Sequence, residues 1–342
     1  MIKILLSVAV VLAALPAGAG ETRPSVLDAI GLSGSRSLAV YALSNPALPD
    51  VMHRERRAIE SGMGLAGRKG SGWIRFAPVL TWDGNVNGGS VGDAVSIGGF
   101  DFRIAEEYRA VSGVLTGVSM DAGRRIPIAE RTALEFDLDA MAAWAPRHDM
   151  AKTGLRASIC VRHMLEGRAV HVQGCVDGQH QSYDLGETRR AGADVTVSRA
   201  FASTSAFHEV AGTVREERTF GEDGGDQTIV SARYTGAFGN GLSVSLQAGI
   251  GSETESRISM RERLMVSAAK NVHDRPTWLM AGIQRNRGGM FLGETREEQA
   301  VFFGAGRQVG DRISVGGSVT RTDAKHDFFD STSLGLDIGF SF

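Results

Sequence analysis

The chain has 342 residues, 42% of them hydrophobic, with 44 glycines and only 8 prolines. Its 37 basic and 39 acidic residues leave a net charge of −2, so there is no basic face for nucleic acid. Beyond the first twenty residues no window approaches the roughly 18 unbroken apolar residues of a membrane helix, which excludes a helical membrane protein.

The chain opens on Met1-Ile2-Lys3, continues through an apolar stretch from Ile4 to Leu15, and reaches Pro16 and Ala17-Gly18-Ala19. A charged start, a short apolar core and small residues make a secretory signal peptide, expected over residues 1–19. No cysteine lies near the cleavage site, so no lipid anchor is expected there. Residues 20–72 read as a short periplasmic helical segment and lead-in, with helical patterns at Val26 to Ile30, Ser37 to Leu43 and Val51 to Ile59. Gly62 to Gly72, with Arg68 and Lys69, reads as a basic lead-in to the first strand.

From Trp73 to the end the apolar residues recur with period 2. Leu134, Phe136, Leu138, Ala140 and Ala142 alternate with Glu135, Asp137, Asp139 and Met141. Leu334, Leu336, Ile338, Phe340 and Phe342 alternate with Gly335, Asp337, Gly339 and Ser341. Such segments run to about ten residues with little between them, whereas strands of soluble sandwiches average about five or six. Trp73, Trp82, Trp144, Tyr183, Phe201, Phe220, Phe238 and Trp278 fall near segment ends, where an interfacial aromatic girdle belongs. The closing strand, with Phe340 and Phe342, is similar to the terminal strand that outer-membrane assembly machinery recognises. These features predict an all-β fold: an antiparallel transmembrane β-barrel over residues 73–342, located in the cell outer membrane.

Fifteen candidate strands can be marked, among them Trp73 to Trp82, Ala94 to Ile104 and Val111 to Ala122. A bacterial single-chain barrel holds an even number, so about 14 strands are expected. The surplus is placed between Trp73 and Trp144, where the glycine-rich Val111 to Ala122 is least regular. Gly239-Asn240-Gly241 and Val309-Gly310-Asp311 read as tight periplasmic turns, and Gly221 to Asp226, Asn286 to Glu298 and Thr322 to Ser331 as outside loops. Glu135, Asp137, Asp139, Arg156, Arg162, Asp177 and Arg233 share the inward parity, because charge facing lipid is costly.

Cys160 and Cys175 lie on neighbouring candidate strands with lumen parity. A hairpin turning about Gly167-Arg168 sets them opposite each other, within disulfide range. A shifted register leaves two free thiols. Among the eight histidines, His163, His171 and His180 are scattered along one hairpin, and neither G-x-S-x-G nor H-E-x-x-H occurs. No catalytic, metal or cofactor site is therefore assigned, and the chain is not read as an enzyme.

Trp73 to Gly89 reads W-I-R-F-A-P-V-L-T-W-D-G-N-V-N-G-G, in which Asn85 and Asn87 are also good turn residues in any hairpin. With Phe100-Asp101-Phe102-Arg103, Leu165-Glu166-Gly167-Arg168, Gly239-Asn240-Gly241-Leu242 and the closing Phe342, this stretch resembles the barrel of surface lipoprotein assembly modifiers. The segment ahead of the barrel is shorter than the tetratricopeptide-type domain usual in that family. The resemblance implies a barrel assisting surface display or export of a partner lipoprotein or secreted protein. The alternative is a passive porin-like channel for small polar solutes. Expected partners are outer-membrane lipids, the barrel assembly machinery and a lipoprotein or secreted cargo, with no nucleic acid.

Overall fold

A computed structural model describes residues 26–44, 71–90, 92–97, 100–165, 169–221, 224–291, 293–310, 313–326 and 329–340. Two helices, α1 (Val26–Ser33) and α2 (Arg36–Leu43), precede β1 (Ser71–Asp83) and two short strands, β2 (Ala94–Ile97) and β3 (Phe100–Arg103). There follow β4 (Gly113–Ala129), β5 (Thr132–Ala145), β6 (Met150–Met164), β7 (Val170–Tyr183), β8 (Gly186–Ala202), β9 (Ala206–Phe220) and β10 (Gly225–Phe238). The last six are β11 (Ser243–Gly251), β12 (Ile258–Val272), β13 (Arg275–Phe291), β14 (Glu294–Gln308), β15 (Ile313–Ala324) and β16 (Ser331–Phe340). β1 and β4 to β16 form one closed antiparallel barrel of 14 strands, each paired with its chain neighbour, and β1 closes on β16 through Thr81 opposite Asp337 and Trp82 opposite Leu336.

The surplus candidate was Ala94 to Ile104, not the glycine-rich segment. Val111 to Ala122 belongs to β4, which pairs with β1 along its length. Ala94 to Ile104 divides into two arms of four residues paired only with each other, and four residues cannot cross a bilayer that needs about nine to eleven. The other outside loops are shorter than expected. Asn286 to Glu298 is mostly strand, because a register shift between Arg287 and Met290 absorbs Gly288 and Gly289, both at positive φ, as a bulge.

Alternation separates the two faces of the wall. On the outside, Ile74, Phe76, Leu80, Val210, Val214, Leu246, Ile250, Phe303, Leu334 and Leu336 are all more than two-fifths exposed. Their neighbours at the opposite parity, such as Glu135, His171, Ser198 and Glu209, are buried. An apolar outer band on a closed barrel leaves no open sheet edge facing lipid, the condition for spanning a membrane with strands. The chain is thus an outer-membrane-type transmembrane barrel. No helix of the described residues is long and apolar enough to cross a membrane.

The turns joining β4 to β5, β8 to β9, β10 to β11 and β12 to β13 share one rim with the start of β1 and the end of β16. This is the periplasmic side in a barrel of this type, where connections are short. Of the eight aromatics expected in a girdle, Trp82, Trp144, Phe201, Phe220 and Phe238 lie on outward parity. At the periplasmic rim Phe201 stacks on His208 at 5.0 Å, and His208 in turn meets Tyr234 and Phe238. Trp73, Tyr183 and Trp278 point inward instead. Proximity to a strand end cannot distinguish the two faces, which only parity decides.

Two of the three helical patterns expected ahead of the barrel are helices; the third, Val51 to Ile59, lies outside the described residues. Ser35 caps α2, its Oγ accepting from the Leu38 backbone N–H at 3.1 Å. The pair lies against the inner wall of β8 to β12 near the periplasmic rim. Leu27, Ile30, Leu38, Ala39 and Ala42 there pack with Ala200, Phe207 and Ala237 of the wall. An apolar stripe on such short helices needs a partner, and small wall residues let the helices approach closely.

Candidate functional site in the lumen

The connector and the first turn of α2 carry polar contacts that fix the helices. Glu209 on β9 is fully buried and accepts from Ser35 Oγ at 2.6 Å and from Ser37 Oγ, while Arg233 on β10 donates to it at 3.2 Å. Glu135 on β5 receives Arg36 at 3.1 Å and also lies near Arg162 (3.4 Å) and Arg125 (3.6 Å). The Arg36 guanidinium sits 5.5 Å from the Trp73 ring centroid, a cation–π contact. Trp73 Nε1 donates to Asp121 at 2.7 Å. The helices rest on β8 to β12, and Arg36 reaches across to β5 and β1. The hairpin therefore spans much of the lumen at this level.

Above the connector is a cavity of about 600 Å³, lined by Ser33, Arg36, Arg162, His171, Gln173, Arg233, Gln247 and Ser267 among others. Part of the wall not contacted by the helices, on β14 to β16, is built largely from small residues. Gly304, Gly306 and Gly316 face inward beneath the Trp278 indole, and Gly335 and Gly339 sit beside Ser318 and Ser314. Trp278 is 39% exposed although it points inward, and Arg75, Asp139 and Arg156, on inward parity, are also exposed. Inward side chains can be this exposed only if water fills that part of the lumen. Arg75, Asp121, Asp139, Arg156, Gln179 and Arg190 are successive cross-strand partners, a mixed-charge row that climbs from the periplasmic half of β1 to the outer half of β8 because the strands tilt.

Nearer the outside, Arg215 holds a second cluster. It donates to both Asp177 oxygens at 2.5 and 3.0 Å and approaches Asp194 (3.6 Å) and Glu217 (3.4 Å). Gly192 leaves the space its guanidinium fills. All seven charges expected to face inward do so. Glu209, Ser35 and Ser37 were not singled out from sequence. Inward parity was the available signal for Glu209, and nothing local marks the two serines as its partners.

Cys160 and Cys175 are direct cross-strand partners, 4.1 Å apart at Cα and joined as a disulfide on the inner wall beside Glu135. Closing a loop of this length is worth about 3 kcal/mol. Reduction in the folded barrel, or Cys160→Ser with Cys175→Ser, is expected to lower the temperature at which the SDS-resistant form is lost. Linked peptides in a non-reducing digest check the bond directly.

Asn85 and Asn87 organise the start of the β1 to β4 loop. Asn87 is 1% exposed; its Oδ1 accepts from Val111 N (2.9 Å) and Gly89 N (3.2 Å), and its Nδ2 donates to Arg109 O (2.7 Å). Asn85 Nδ2 donates to Gly89 O at 2.8 Å. Val86 between them packs with Leu115, Ala143 and Ala145 inside the outer mouth. Trp82 is exposed on the lipid face. Phe340 ends β16 opposite Ile313, and Phe342 lies outside the described residues.

Among the described residues no cluster of three or more His, Cys, Asp or Glu could hold a metal ion. No family model and no curated protein matches the sequence. Solved structures with a similar fold include Acinetobacter baumannii OccAB3 (9% identity, covering 80% of this chain and 99% of that one, TM-score 0.41). Another is Pseudomonas aeruginosa OccK2 (OpdF) in complex with glucuronate (8% identity, 80% and 98%, TM-score 0.40). A third is the COG4313 outer membrane channel from Pseudomonas putida F1 (12% identity, 79% and 95%, TM-score 0.36).

Proposed function

We propose that the chain is a passive outer-membrane channel for small polar solutes. The observation that carries this reading is the water-exposed inner lane formed by Arg75, Asp139, Arg156 and Trp278, on the side of the lumen that the helices leave uncovered. Charges of both signs with serine and glycine between them favour hydrated polar solutes over apolar ones.

The test is reconstitution. Purified protein in planar bilayers should conduct ions in discrete steps, and proteoliposomes should swell in small sugars or amino acids. A folded, heat-modifiable barrel that gives neither would sink the reading. Loss of one particular surface lipoprotein on deletion of the gene, with permeability unchanged, would instead favour the surface-display role that the sequence resemblance implies.

The glycines of the lane give a sharper test. A Cβ at Gly306 would overlap the Trp278 ring. Gly306→Val is expected to push the indole into the lumen and lower single-channel conductance, with the heat-modifiable shift on SDS gels retained. Unchanged conductance would place the path elsewhere.

A further inference from the structure

We infer that the α1–α2 hairpin is a detachable plug, gating the conduit through Arg36 and the two serines flanking it; this rests on the channel reading above. Three observations support it. Among the described residues the helices lie against β8 to β12, so their position sets how much of the lumen they leave open at the periplasmic level. Among the described residues it is Arg36 that reaches across that lumen, held between Glu135 and the face of Trp73.

The third observation concerns the charges left behind. Removing one partner of a buried ion pair is costly when it strands the other. Here neither wall carboxylate would be stranded. Glu209 would keep Arg233 at 3.2 Å, and Glu135 would keep Arg162 and Arg125 at 3.4 and 3.6 Å. The wall thus carries its own counter-charges for the plug's absence as well as receptors for its presence. A two-state element needs this symmetry, since a ligand or field can bias only states of comparable free energy. Gly34, at φ +66°, and the N-cap Ser35 connect the helices, and Arg36 and Ser37 open α2 directly after them.

The experiment uses the full chain in planar bilayers, comparing wild type with a triple variant, Ser35→Ala, Arg36→Ala and Ser37→Ala, that leaves every barrel residue untouched. Heat-modifiability on SDS gels establishes that both barrels are folded. Wild type is expected to show low conductance with frequent closures, and the variant a severalfold higher conductance with closures largely gone. Arg36→Lys, which keeps the charge but loses the planar contact with Trp73, should fall between them. If wild type and the triple variant conduct alike, the plug does not gate and the inference fails while the channel reading stands. Should neither conduct, the channel reading fails and the gate with it. If the triple variant no longer folds, Arg36→Ala alone decides by the same comparison, its folding checked in the same way.

Discussion

Val214→Arg is expected to stop the barrel from assembling, whereas Thr213→Arg, one residue away, should leave it folded with altered conductance. Val214 lies near the middle of β9 on the lipid face and is 51% exposed, flanked by Val195 on β8 and Val230 on β10. An arginine facing lipid near the bilayer midplane costs about 2 to 4 kcal/mol, a large part of the stability of a single domain. Thr213 points the other way, bonded to Thr196 Oγ1 at 2.8 Å inside the lumen, so a guanidinium there does not face lipid. The measurement is the heat-modifiable shift on SDS gels of membranes expressing each variant, followed by bilayer conductance for Thr213→Arg. Equal tolerance of the two arginines would mean that the assignment of inner and outer faces is wrong.

The second large effect is expected at Arg215. Its side chain is 20% exposed and Asp177 only 6%, with Asp194 and Glu217 close by. Arg215→Met would remove the cation that neutralises this carboxylate cluster; breaking a buried pair costs about 3 to 5 kcal/mol, and the aqueous lumen places this one at the lower end, about 3 kcal/mol. The SDS-resistant form of Arg215→Met should unfold at clearly lower temperature, with Asp177→Asn in the same chain restoring part of the loss. Arg215→Lys should fall short of wild type, because one ammonium cannot bond both Asp177 oxygens in the forked geometry. If Arg215→Met unfolds like wild type, the cluster is solvated rather than structural.

Fourteen of the fifteen candidate strands were legible because each side of a barrel wall meets a different solvent. Lipid outside and water inside impose period 2 at Leu134 to Ala142 as at Leu334 to Ile338, and no tertiary information is needed to see it. The misread segment, Ala94 to Ile104, failed because Phe100 and Phe102 mimic an outward face while the chain on either side is too short to span. The Cys160 and Cys175 register was readable because one hairpin relates the two strands, so pairing depends on a single turn. What could not be read is the lumen across the barrel. Glu209 and Ser37 are 172 positions apart, and Arg36 meets Glu135 from 99 positions away. Parity shows that a carboxylate points inward, but not which distant element folds back to meet it. Trp73 and Trp278 pass as membrane anchors for a different reason, because position near a strand end is blind to parity; one holds the plug's arginine and the other covers the glycine wall.

The β1 to β4 loop is closed at its base by Asn87, by the Val86 N–H to Val111 O bond at 2.8 Å and by paired bonds between Ser90 and Tyr108 to Ala110 at 2.7 Å each. Beyond that clasp the β2–β3 ribbon hangs from the barrel as a pendant does from a ring. Its amides should exchange with solvent deuterium while those of β4 and β5 remain protected, because among the described residues the two arms pair with each other and not with a barrel strand. Residues 94–103 are then the place where a foreign epitope could be grafted onto a living cell's surface without the wall registering the change, and where sequence drift would be least restrained by folding.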